Sequence, residues 1–155
     1  RAADIEARRR AVRYHDLHHV VTGYSTDLRG EVEISAWEIR TGCKGYWVAW
    51  VLGLSGLLTV FKWPRETVRA FARGRHSRNL YGEDYNQLLD RQLADVQSEL
   101  GLMNAASPQW TDPIIVAALL PLAAVATLLM GAVVIATAPW WLRAGVHRRR
   151  RTPAA

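Results

Sequence analysis

Residues 114–138 are 25 consecutive uncharged, strongly apolar side chains. No other feature restricts the fold so tightly. As a helix the run is long enough to cross a bilayer with some tilt. Trp110 stands before it, and Trp140 and Trp141 stand after it, where membrane interfaces hold indole rings. Pro121 and Gly131 are positions at which it can kink. Half the chain is hydrophobic while the mean hydropathy is −0.07, so apolar residues are gathered into segments. A second uncharged segment, 45–61, would span about 25 Å as a helix, short of a full crossing. It reads as a buried or lipid-lining helix, with Gly53, Ser55 and Gly56 admitting close packing or a flat lipid.

Charge divides the chain the same way. Residues 1–112 carry 15 Lys and Arg against 14 Asp and Glu; five Arg and no acid follow. A nucleic-acid-binding domain would carry its positive stripe on the folded body. Here the body is nearly neutral, so no nucleic-acid partner is expected, and Arg143 with Arg148–Arg151 reads as a membrane-flanking basic tail. The basic residues divide as eight in 1–44, seven in 62–113 and five after 142, so all three segments favour the cytoplasmic side. That argues against a crossing at 45–61 and against a simple one at 114–138; a kinked re-entrant or interfacial segment would remove the conflict. Counted only in the near flanks, residues 95–113 hold no Lys or Arg, which would place the tail inside. A single cysteine, Cys43, excludes a disulfide framework and a multi-cysteine zinc site. It reads as a small apolar residue near a helix end. No signal peptide is visible in the charged first 19 residues.

The rest is helical in pattern. Helices are expected over 4–22, stopped by Gly23, and over 27–41, with Ser25 or Thr26 as cap and Asp27 in the first turn. Another is expected over 64–73, opened by Pro64 and closed by Gly74. Residues 83–100 carry an amphipathic pattern with a break in the middle. The whole is an all-α, membrane-associated fold. It comprises a helical domain over 1–103, a linker over 104–113, a C-terminal transmembrane or re-entrant helix over 114–142, and a basic tail over 143–155. Arg69, Arg73 and Arg75 read as a solvated face.

Chemistry concentrates in Tyr14-His15-Asp16-Leu17-His18-His19. His15 and His19 are four apart, so on a helix their imidazoles share a face and can chelate one divalent metal. Asp16 lies about 100° around the helix. It is placed to be a rim ligand, a partner of a ligand, or an acid/base group. A helical hairpin turning at Gly23 would fold Glu31 back onto the histidine face. Two nitrogens plus one or two carboxylates, with a position left open, suit catalytic zinc or non-haem iron. His18 reads as a surface residue off that face. The HxxHH spelling of a membrane desaturase is set aside, because only His76 and His147 remain to complete a di-iron set.

These residues resemble the coenzyme Q (ubiquinone) biosynthesis protein 4 family. The motif HDxxH, eleven residues, then Glu is met by His15, Asp16, His19 and Glu31. Thr22-Gly23-Tyr24, Gly30, Arg73-Gly74-Arg75, Glu83-Asp84, Leu88-Leu89 and Glu99-Leu100-Gly101 are similar too, so the likeness runs over roughly 12–102. It implies a divalent metal, zinc by family habit, held by His15, Asp16, His19 and Glu31. Iron or another redox metal is required if oxygen is activated there, because zinc has no redox chemistry. It implies a polyprenyl quinone-precursor lipid between helices, with the groove expected along Trp47, Trp50, Leu54, Leu57, Leu58 and Phe61. Two functions follow. One is oxidative decarboxylation and hydroxylation at ring carbon 1 of a polyprenylated hydroxybenzoate, with Asp16 and Glu31 as catalytic groups. The other is a non-enzymatic lipid-presenting scaffold with a structural metal. Other ubiquinone-biosynthesis proteins, and a second copy of the chain, are the expected partners, and a bacterial inner membrane, metal domain on the cytoplasmic side, the expected location. The family usually has a helical region before the motif. Only 14 residues precede His15 here, leaving open a missing N-terminal part of the lipid pocket. The segment 114–138 is not typical of the family and suggests an integral anchor.

Overall fold

A computed structural model describes residues 2–104 and 106–149, with side chains over 5–104 and 106–138. The expected tail from 150 onward lies outside the described residues, and Trp140, Trp141 and Arg143 outside the described side chains. Every regular element among the described residues is helical. In order they are α1 (Ala2–Thr22), α2 (Leu28–Thr41), α3 (Trp47–Leu57) with a 3-10 turn (Leu58–Phe61), α4 (Pro64–Gly74), α5 (Tyr85–Leu89), α6 (Leu93–Glu99) and α7 (Thr111–Arg149). The amphipathic stretch 83–100 does break, at Asp90-Arg91-Gln92, into α5 and α6.

Helix α2 is the hub, packed against α1, α3 and α4. It buries Val32, Ile34, Ala36, Trp37 and Ile39. Trp37 is fully buried, and its indole N–H donates to Ser77 Oγ at 2.8 Å, so no polar atom is stranded. Truncating such a core aromatic to Ala costs about 3–5 kcal/mol. Cys43 is buried at the end of α2, as expected of a small apolar residue.

The turn from α1 to α2 positions the site. Gly23, at φ +75°, ends α1 and returns its N–H to His19 O at 2.9 Å. The cap of α2 is Asp27 itself, not Ser25 or Thr26. Its Oδ1 accepts from Gly30 N–H at 2.9 Å, while Ser25 Oγ donates to the same oxygen at 2.8 Å. A Cβ at Gly30 would lie 1.7 Å from the Ser25 carbonyl oxygen. Only glycine lets the turn close there, and the next residue is Glu31.

Helix α3 is sandwiched between α2 and the first half of α7. A Cβ at Gly56 would meet Ser35 Oγ at 2.3 Å, so this small residue serves close helix packing. The expected lipid-lining row does not form one surface. Leu54 and Leu57 are buried in the core, because α3 turns them inward. Trp50 and Leu58 are half-buried. Trp47 and Phe61 are exposed, at 59% and 78%.

Helix α7 begins at Thr111, so the last residues of the expected linker are helical. It runs uninterrupted through Pro121 and Gly131. A re-entrant segment would have to turn inside the run, and it does not. Val116, Ala123 and Ala126 are buried. Beyond Ala126, every residue to Thr137 except Met130 is exposed, so the helix leaves the body. Thr111–Ala138 is long and apolar enough to cross a membrane. Two arginines are not the solvated face expected. Arg73 donates to Thr22 O at 2.8 Å and to Leu102 O at 3.3 Å, and Arg75 pairs with buried Asp112 at the start of α7. Arg69 is exposed as expected.

Candidate metal centre

Three of the four motif residues converge. Donor atoms of His15 and His19 on α1 and of Glu31 on α2 all lie within 4.8 Å of one another. His15 Nε2 is 3.2 Å from His19 Nε2 and 3.3 Å from Glu31 Oε2, and His19 Nε2 is 3.3 Å from Glu31 Oε1. The fourth residue, Asp16, is exposed on α1 and outside this donor group. The 100° offset from His15 takes it past the edge of the shared face.

Hydrogen-bond partners fix which ring nitrogens are free. His19 Nδ1 faces the Tyr24 carbonyl oxygen at 3.1 Å, an acceptor only, so Nδ1 carries the proton. His15 Nδ1 faces the Glu38 carboxylate at 3.2 Å and donates to it. Both Nε2 atoms are then lone pairs, facing each other and a carboxylate. Such a set repels itself unless a cation lies between. Without metal the cation is a proton. Burial pushes the His15 imidazole down, but the Glu38 and then the Glu31 carboxylates overcome that and hold it up at about 9. Two carboxylates border the histidines, and among the described residues Glu31 and Glu38 form ion pairs only with histidines. The donor set fits a divalent cation. Glu31 is 44% exposed, so the donor group is open to solvent on that side.

Sequence reasoning missed two residues. Glu38, 2% exposed, sits behind His15. Its Oε1 accepts from His15 Nδ1, from His18 Nδ1 at 2.6 Å and from Tyr81 O–H at 3.1 Å. Burial would raise this carboxyl, but the His15 and His18 hydrogen bonds bring it down to about 2. His18 is not a surface residue: it is fully buried, because α1 lies with that side against Trp37 and Tyr81. Its Nε2 accepts from Leu80 N–H at 3.0 Å, so Nδ1 holds the proton donated to Glu38. Burial pushes the imidazole down, consistent with a neutral ring. The available signal was Glu38 lying two helical turns from Glu31, on the same face of α2.

The family model described as coenzyme Q (ubiquinone) biosynthesis protein Coq4 matches residues 5–106. That span holds the whole donor group and stops short of α7. No curated protein and no solved structure matches the chain.

Proposed function

Because the chain belongs to the coenzyme Q (ubiquinone) biosynthesis protein Coq4 family, and so acts in ubiquinone biosynthesis, we propose that His15, His19 and Glu31 hold a divalent metal that receives the carboxylate of a polyprenylated hydroxybenzoate. The observation that carries this reading is the pair of facing, lone-pair Nε2 atoms beside a carboxylate with one side open. The metal would supply Lewis acidity toward that carboxylate, and a redox metal such as iron would also engage dioxygen, which zinc would not. In the overall reaction the ring carboxyl leaves as carbon dioxide, one atom of dioxygen becomes the ring hydroxyl that replaces it, and the other leaves as water with two electrons and two protons from an external two-electron donor. Glu31 holds the open edge of the site. Asp16, one residue from His15 and in water, is the proton-transfer group. The prenyl tail lies along the exposed apolar side chains Trp47, Leu52 and Phe61 of α3 and its 3-10 turn. Helix α7 anchors the chain in a bacterial inner membrane, with the metal domain cytoplasmic and beside other proteins of the pathway.

One observation favours a second reading. The three donors come from two helices, so a metal would clamp α1 to α2 whether or not it did chemistry. The chain would then be a lipid-presenting scaffold. Carbon dioxide release from polyprenyl-hydroxybenzoate by iron-loaded protein in detergent, under oxygen and with a two-electron donor such as ascorbate, separates the two. The enzymatic reading expects product, and a loss of about 10²-fold or more in Asp16→Asn. No product from loaded protein, with melting lowered several degrees by chelator, would leave the scaffold.

A further inference from the structure

The carboxylate of Glu38 touches no open surface and belongs to no motif, yet it gathers three donors on one oxygen. We infer that Glu38 is a positioning residue that holds His15 in the Nδ1–H tautomer and thereby aims the Nε2 lone pair at the cation, while His18 and Tyr81 hold Glu38 itself in place. This rests on the metal reading of His15, His19 and Glu31.

The geometry makes each part necessary. A histidine presents its Nε2 lone pair only when the proton is kept on Nδ1, and a carboxylate at Nδ1 keeps it there and raises the basicity of the ligand. At His19 that role falls to a backbone carbonyl, of Tyr24. At His15 it falls to Glu38 alone. A buried carboxylate is costly unless fully hydrogen-bonded. His18 meets that need as a buried donor whose own direction is set by Leu80 N–H on its other nitrogen. Tyr81, also fully buried, supplies the third bond. The loop carrying Leu80 and Tyr81 is thereby coupled to the orientation of a ligand on α1. Of these residues only His18 lies inside the HDxxH spelling, at one of its unspecified positions.

Two measurements test this on the full chain in detergent. Long-range 1H–15N spectra of the zinc-loaded wild type should show His15 protonated on Nδ1 and His19 likewise; His15 protonated on Nε2 would overturn the inference. Glu38→Gln keeps the shape and the accepting oxygen but removes the charge. Chelator competition should then give zinc affinity weaker by about 10–100-fold, with the visible bands of the cobalt(II) form shifted. Affinity within twofold of wild type and an unshifted cobalt spectrum would overturn the role of Glu38 while leaving the metal site standing. Wild type that binds no zinc or cobalt would remove both. Should Glu38→Gln fail to fold, the tautomer of His15 in the wild type decides by itself.

Discussion

At the scale of single residues the centre is a contest between a proton and a metal for one pair of nitrogens. With His15 held up at about 9 in the metal-free state, metal binding at neutral pH must expel a proton. Affinity should therefore rise about tenfold per pH unit between pH 6 and 8 and level off near 9, measured by chelator competition across pH. A flat profile would contradict the ligand assignment. The metal-free fold has its own pH signature. His15 is raised from 6.5 to about 9, so its contribution is full below 6.5 and is lost as pH rises toward 9. His18 is depressed, so its contribution is lost as pH falls below 6.5. Glu38 is depressed from 4.5 to about 2, so its contribution is lost between those values. Thermal stability of metal-free protein should peak near pH 6.5, and zinc should abolish the fall between 6.5 and 9. His15, His19 and Glu31 were legible because i, i+4 spacing and a turn suffice to join them. Glu38 and His18 were not, because their burial depends on how α1 crosses α2 and on Tyr81 and Leu80, 43 and 62 residues further on from them respectively.

At the scale of elements the decisive piece is the short turn from Thr22 to Gly30. Gly30→Ala would drive a methyl into the Ser25 carbonyl. Overpacking of that kind costs about 1–3 kcal/mol, and here relief requires the turn to open, which moves Glu31 from the histidines. The expected result is lower stability to urea together with weakened zinc binding; loss of stability with unchanged zinc affinity would show that the turn does not set Glu31. Helix ends were readable where the chain carries local punctuation, at Gly23, Pro64 and Gly74. The cap was misassigned by one or two residues because Ser25, Thr26 and Asp27 are all competent caps, and only the closed turn selects Asp27. The inward face of α3 was illegible for a related reason. An all-apolar helix has no polar side to show which face turns inward, so Leu54 and Leu57 could not be told from Trp47 and Phe61 by pattern.

At the scale of the molecule the chain joins a compact helical body to one projecting apolar helix. The first half of α7 completes the body through Val116, Ala123 and Ala126, and the second half leaves it bare. If a bilayer covers that bare half, charges placed there are costly, about 2.5–3.5 kcal/mol each at the helix centre. Leu128→Lys combined with Val133→Lys should release the protein from membranes into alkaline carbonate while the wild type stays bound. Release of wild type by the same wash would contradict the anchor. The apolar composition of this helix was legible, but its extension to Thr111 and Arg149 and its lack of a break were not, since Pro121 and Gly131 permit a kink without requiring one.

The central claim is that His15, His19 and Glu31 form a metal centre. Elemental analysis of detergent-purified protein beside His19→Ala tests it most directly. The account predicts about one equivalent of divalent metal per chain in the wild type and none in the variant. Metal retained stoichiometrically by His19→Ala, or none taken up by the wild type, would contradict it.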